Sequence, residues 1–260
     1  KQDYIIIPND YFKDIENTIV LSFSGGGWLG LCYYIGILEY LLTNKIIEKY
    51  NFITLGASAG SLAAFIILFL KFNINHGNQY ELIKIKNKFY NFILSLNEQC
   101  FLGIPINCEQ QIILFLKSLL EKLKNKEIFF DFLKDKLFIS ISEFTFFKIR
   151  NKLVNPIIEK ELIQSLLNSC KLPFMITLNL KNYFNKFDGS FTNNQPILKN
   201  NEVNYKKIIK INCIYKYNAD ICPSQFINPI YIVKKPSIDI INKIIKIIKK
   251  DINFFFKKIY

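Results

Sequence analysis

The fold is decided by residues 18–72, TIVLSFSGGGWLGLCYYIGILEYLLTNKIIEKYNFITLGASAGSLAAFIILFLKF. Residues 18–23 form a short apolar run that ends in Ser24-Gly25-Gly26-Gly27, which predicts a buried strand entering a glycine loop. Residues 28–44 read as a helix that is apolar nearly all round. Residues 52–55 predict a second strand and residues 58–72 a second apolar helix. Strand, loop, helix, strand, tight turn, helix is the alternation of a parallel sheet with helices on its faces. Strands without polar alternation and helices without a polar face belong deep in such a domain. The expectation is α/β, a three-layer α/β/α domain with a mainly parallel central sheet.

Two motifs sit at the strand-to-helix junctions of this stretch. Gly56-Ala57-Ser58-Ala59-Gly60 matches GxSxG, and its place between strand and helix is the context of a nucleophile elbow. A sharp turn there forces the serine into a strained backbone, and the small flanking residues leave its hydroxyl accessible. The helix N-terminus favours negative charge developing nearby. Gly25-Gly26-Gly27-Trp28-Leu29-Gly30 matches GGGxxG. Such loops cradle phosphates in dinucleotide folds, or present backbone N–H groups as an oxyanion hole. No Walker-type lysine follows and a GxSxG arises one strand later, which favours the oxyanion role.

The 260 residues are half hydrophobic, which excludes a largely disordered chain, and suit one domain or one domain with an appended tail. The single histidine, His76, excludes His-rich metal sites. It lies 18 residues beyond Ser58 in a polar break, ahead of the acidic residues of the C-terminal half, and reads as a surface loop residue rather than a triad base. Asp188, in the turn Phe187-Asp188-Gly189-Ser190, is the best alternative base. A carboxylate bonded to a serine hydroxyl can accept its proton, although Asp-Gly turns are common and the turn alone does not assign the role.

The six cysteines have no CxxC spacing and read as reduced, mostly buried side chains of an intracellular protein. No secretory signal is read at the start of the sequence; it begins at Lys1 rather than Met, so a preceding targeting segment stays open. The longest uncharged apolar stretch, residues 62–70, falls short of the roughly 20 residues a membrane span needs.

The net charge is +13. Abundant Ile, Asn, Lys, Phe and Tyr together are what an AT-rich coding sequence yields, so much of the lysine excess needs no function. Attraction to anionic lipid is the second reading. Nucleic acid comes third, because no zinc finger, helix-turn-helix or aromatic RNP motif accompanies the charge.

Further along, residues 80–96 and 107–124 predict amphipathic helices, core or lid. Residues 136–142 and 145–150 predict a hairpin, residues 159–170 a helix and residues 207–214 a strand. From Pro236 the character changes. Ile238, Ile241, Ile245, Ile248 and Ile252 recur at helical spacing among lysines, with Phe254, Phe255 and Phe256 near the end. This basic amphipathic helix fits either a lipid surface or ordinary packing on the domain. The organisation expected is a lead-in over 1–17, a catalytic domain over 18–235 and the helix over 236–260.

Together these motifs resemble the patatin-like phospholipases, in particular their adiponutrin and adipose-triglyceride-lipase branch. Residues 21–30 (LSFSGGGWLG) followed by 56–60 (GASAG) are similar to that branch's first two motifs. Residues 169–174 (SCKLPF) resemble its SCxxPF segment, 188–196 (DGSFTNNQP) its DGGxxDNxP, and 220–223 (DICP) its DICP. Five ordered motifs cover residues 18 to about 223.

The resemblance implies Ser58 as nucleophile and Asp188 as base of a Ser–Asp dyad. Gly26 and Gly27 would donate to the oxyanion, with Gly25 and Gly30 shaping the loop and Gly56 and Gly60 flanking the elbow. It implies glycerolipid or phospholipid ester substrates, no metal cofactor, and a cytoplasmic protein peripheral to a membrane or lipid droplet. Three positions depart from the pattern. Leu29 stands where many patatins have Arg, Ser190 where a Gly or Ala is usual, and Asn193 where the DN pair has Asp. A glycerolipid acyltransferase, differing only in the acceptor, and a catalytically silent lipid-binding protein are the alternatives.

Overall fold

The computed structural model describes residues 18–78, 81–96, 100–101, 104–105, 108–145, 148–171, 185–198 and 208–259. The lead-in over 1–17 and positions 172–174 of the SCKLPF segment lie outside the described residues. Strand β1 (Thr18–Phe23) leads through the glycine loop into α1 (Gly27–Thr43). After a single turn, α2 (Ile46–Lys49), strand β2 (Asn51–Ala57) runs parallel to β1 and ends in α3 (Ala59–Asn75). Helices α4 (Glu81–Ser95), α5 (Cys108–Leu120) and α6 (Lys126–Leu133) follow. A small ribbon of β3 (Cys100–Phe101) and β4 (Ile104–Pro105) separates α4 from α5. Then come β5 (Leu137–Thr145), β6 (Lys148–Val154), α7 (Glu159–Cys170), β7 (Lys186–Asp188), the short α8 (Ser190–Asn193), β8 (Ile208–Ile211) and α9 (Ile238–Ile259).

Among the described residues the central sheet has six strands. Its path is β6-β5-β2-β1-β8, with β7 also paired to β5. Strands β8, β1, β2 and β5 are parallel, and β6 and β7 run antiparallel to β5. This is a mixed α/β fold compatible with a three-layer α/β/α arrangement, as the opening stretch predicts.

The two faces of the sheet carry unequal cores. Ile19, Leu21 and Phe23 of β1 and Leu137, Ile139 and Ile141 of β5 face the larger cluster, with α1, α3 and the helices around them. Val20, Ile53, Leu55 and Phe138 face the other side, with Leu153 and Leu198. Alternation therefore exists at the level of which apolar layer a residue enters, although both layers are dry. Helices α1 and α3 are buried nearly all round because they lie between the sheet and an outer set of helices.

Helix α9 packs against α1, and Ile241, Ile244, Ile248, Ile252 and Phe256 are buried. Phe256 stacks on Tyr40 with ring centroids 5.5 Å apart. Glu39 of α1 ties the helix down, pairing with Lys249 of α9 at 2.5 Å and with Lys86 of α4 at 3.1 Å. Two positions of the expected apolar stripe fall off the buried face: Ile238 is exposed and Ile245 half-buried, while Ile244 and Ile247 take their place. No helix among the described residues is long and apolar enough to cross a membrane.

Candidate active site

Sheet register brings the site together. Ala57 at the end of β2 pairs with Ser140 of β5, and the next β5 residue, Ile141, pairs with Asp188 of β7. Strand β6 holds one edge of β5, so β2 and β7 share the other in succession. Where β2 turns away into α3, β7 takes up the vacated edge. Ser58 and Asp188, 130 positions apart in sequence, thus emerge at the same end of the sheet.

Ser58 is the residue before α3 and has φ 52° and ψ −127°. A non-glycine residue there is strained, and that strain aims the side chain outward from the turn. The turn closes because Gly60 packs under β1: a Cβ on Gly60 would lie 2.4 Å from the Ser24 carbonyl oxygen and 2.6 Å from that of Phe23. Gly56 faces Gly60 in equally close contact. The Ser58 N–H donates to Ser169 Oγ at 2.9 Å, and the Ser169 hydroxyl donates to the Ser140 carbonyl at 2.7 Å. The last turn of α7 therefore clamps the Ser58 backbone to β5.

Asp188 is fully buried. Its backbone is fixed on both sides, the N–H donating to Lys171 O at 3.0 Å and the carbonyl accepting from Ser142 Oγ at 2.7 Å. Oδ1 accepts the Ser190 N–H at 2.7 Å and the Ser190 hydroxyl. Oδ2 is buried and has no formed hydrogen bond among the described residues. Burial pushes the carboxyl up to about 6; the hydroxyls of Ser190 and Ser58 and the Ser190 N–H act in the opposite direction. Ser58 thus lies close enough to influence the carboxylate.

The glycine loop divides into two pairs. Gly25 N–H donates to Asn194, to Oδ1 at 2.9 Å and to the carbonyl at 3.2 Å. Gly30 N–H donates to Gly26 O at 2.9 Å as part of the first turn of α1. These two shape the loop. Among the described residues the N–H groups of Gly26 and Gly27 have no acceptor. Gly27 has φ 51°, and a Cβ there would lie 1.9 Å from the Ile232 carbonyl oxygen, so only glycine fits. Below the loop, the buried Tyr34 hydroxyl donates to the Ser24 carbonyl and the Cys213 thiol reaches Gly25 O at 3.6 Å.

Ser58 and Gly27 open onto one cleft. Its walls include Leu31, Leu62, Phe92, Leu96, Ile112 and Val233. Helices α4 and α5, core or lid in the sequence reading, thus form its apolar sides. Lys235 secures the segment after Val233, donating to Leu94 O at 2.9 Å. Among the described residues no group of His, Cys, Asp and Glu is arranged to hold a metal ion.

His76 is exposed at the C-terminal end of α3, with Nδ1 2.9 Å from Phe72 O. Ser58 sits at the other end, so the two are about 25 Å apart along the helix. The departures at 190 and 193 are accommodated. Ser190 fits against Gly25, where a Cβ would collide with its hydroxyl, and it serves Asp188. Asn193 donates from its amide to Asn151 Oδ1 at 3.4 Å.

Three functional contacts escape the motif reading: the Ser169 clamp, the Ser190 donor and the Asn194 latch on Gly25. All three residues stand inside quoted motifs, yet nothing in their local sequence tells which backbone group they meet. Comparison of the sequence with protein-family models and with curated proteins finds no match.

Proposed function

We propose that the protein is a serine acyl hydrolase of glycerolipid esters, working through a Ser58–Asp188 dyad at the surface of a membrane or lipid droplet. One observation carries the reading: a serine strained to φ 52° faces a buried carboxylate beside an apolar cleft. The order of the motifs, which resembles the patatin-like phospholipases, supports it.

In the first step the Ser58 hydroxyl attacks the ester carbonyl and its proton passes to Asp188 Oδ2. The oxyanion is held by the N–H groups of Gly26 and Gly27, one such donor being worth about 3 kcal/mol. Collapse of the tetrahedral intermediate expels the alcohol, which takes the proton from Asp188 and leaves an acyl-Ser58 ester. Water then attacks that ester, its proton passes to Asp188 and on to Ser58 Oγ, and a fatty acid leaves. The elevated proton affinity of Asp188 suits it to this work near neutral pH, where it is ionised yet basic enough to accept. The dry walls of the cleft match an acyl chain.

The test is labelling with a fluorophosphonate probe alongside hydrolysis of a fluorogenic glycerolipid. Wild type is labelled and turns over, while Ser58→Ala does neither and Asp188→Asn loses turnover while still folding cooperatively. Turnover retained by Ser58→Ala overturns the reading.

A further inference from the structure

Exposed apolar side chains occur along the segment that leads into the cleft wall. Phe226 is 70% exposed and Ile230 46%, and Tyr217 is exposed nearby in sequence. Two loops join here, the Tyr215 ring meeting Phe226 edge-on with centroids 6.1 Å apart. Beyond buried Ile227, a 3-10 turn over Pro229–Ile232 has no buried residue. Its last residue, Ile232, and the following Val233 line the cleft beside Ser58. One short segment is therefore cleft wall at one end and exposed apolar surface at the other.

The charged residues within the lip itself are lysines, and one acidic side chain stands at its edge, Asp251 of α9, whose Oδ2 accepts the Ser224 N–H at 3.1 Å. Residues 221–238 contain Lys234 and Lys235 and neither Asp nor Glu. Lys234 is exposed, and Lys216 Nζ lies 5.2 Å from the Tyr215 ring centroid. Aromatic and aliphatic tips interleaved with lysines suit a bilayer interface, where rings sit at headgroup level and lysines reach anionic lipid. Protein interfaces, by contrast, are depleted in lysine. Helix α9, the basic helix of the sequence, is not available for this purpose through its apolar face, which lies against α1.

We propose that the lip formed by residues 215–217 and 226–234 is the surface through which the protein lies on an anionic lipid bilayer, Phe226 and Ile230 entering the acyl boundary and Lys216 and Lys234 meeting the headgroups. The inference rests on the hydrolase reading only for its consequence, that an acyl chain passes directly from the bilayer into the cleft.

The experiment is co-sedimentation of the full chain with vesicles of phosphatidylcholine, with and without phosphatidylserine. Wild type binds the anionic vesicles, and Phe226→Ser/Ile230→Ser weakens binding about tenfold or more. Lys216→Glu/Lys234→Glu abolishes the preference for phosphatidylserine. Both variants keep the wild-type melting temperature and the wild-type rate on a soluble short-chain ester. Absence of vesicle binding by wild type, or unchanged binding by both variants, overturns the lip. A wild-type dimer in solution that Phe226→Ser/Ile230→Ser dissociates also overturns it, because a second copy then covers the surface. Ester hydrolysis without vesicle binding overturns the lip and leaves the hydrolase; vesicle binding without hydrolysis of any ester does the reverse.

Discussion

Ser190 donates twice to one carboxylate oxygen of Asp188, through its N–H and through its hydroxyl, and leaves the other oxygen without a formed hydrogen bond among the described residues. The carboxylate is thereby oriented by one oxygen and keeps the second for a proton. Ser190 also acts against the burial that raises the Asp188 pKa. The residue that departs from the DGG pattern thus helps set the proton affinity of Asp188.

Replacing Ser190 with Ala removes the hydroxyl donor and keeps the backbone one. The base is active when ionised, so kcat/KM falls as pH drops through the Asp188 pKa, about 6 in wild type. Losing a donor to the charged form raises that pKa, by about one unit for a bond of this kind. The acid limb of the Ser190→Ala profile therefore moves to higher pH, with activity recovered on the alkaline side. A uniform loss at every pH would show that Ser190 acts on structure alone.

Asp188→Asn trades activity for stability. Burial favours the neutral carboxyl, raising its pKa from 3.8 to about 6. The folded state then binds the proton more tightly than the unfolded chain, so stability is greatest below the unfolded pKa and declines as pH rises through about 6. Above that range the ionised group costs about 3 kcal/mol. Denaturant melts at pH 8 should find Asp188→Asn more stable than wild type by up to this amount. The gap should close below about pH 4.

The elbow strain is separable from the Ser58 hydroxyl. Ser58→Ala keeps φ near +52° with a Cβ and loses activity. Ser58→Gly also loses activity but relieves the conformation, and it should exceed Ser58→Ala in stability by about 1 kcal/mol. Thermal melts of the two inactive variants check this directly.

Ser169→Ala should act through Ser58. It leaves the buried Ser58 N–H without its acceptor, a loss of about 1–3 kcal/mol. Turnover falls because the elbow loses its clamp, while binding of a soluble ester changes less. A drop in kcat larger than the rise in KM is the expected signature.

Truncation after Pro236 should unfold the protein rather than merely release it from lipid. The deletion uncovers α1 along Gly36, whose Cα approaches α9 so closely that a Cβ would meet Ile248 Cγ2 at 1.9 Å. It also removes the buried Ile241, Ile244, Ile248 and Ile252. Circular dichroism of the truncated chain distinguishes the two outcomes.

Much of this molecule is written locally. The strand over 18–23, the elbow between strand and helix, and the helix over 159–170 follow from polarity patterns and small residues within a few positions of one another, and the structure has them at those places. Helix α6 is among the local elements missed: its eight residues are too short to show a period, and its Asn125 cap, accepting from Ile128 N–H at 3.1 Å, is a weak signal alone. The tertiary structure alone decides the rest. An Asp-Gly turn becomes a candidate base only because β7 continues the edge of β5 that β2 leaves, a pairing set by strand register across 130 positions. The stripe of α9 shows that a face must be covered, but not that α1 covers it or that Ile244 belongs to it rather than Ile238. Periodicity records what a segment must hide from water; which partner hides it depends on contacts between distant segments that no local pattern contains.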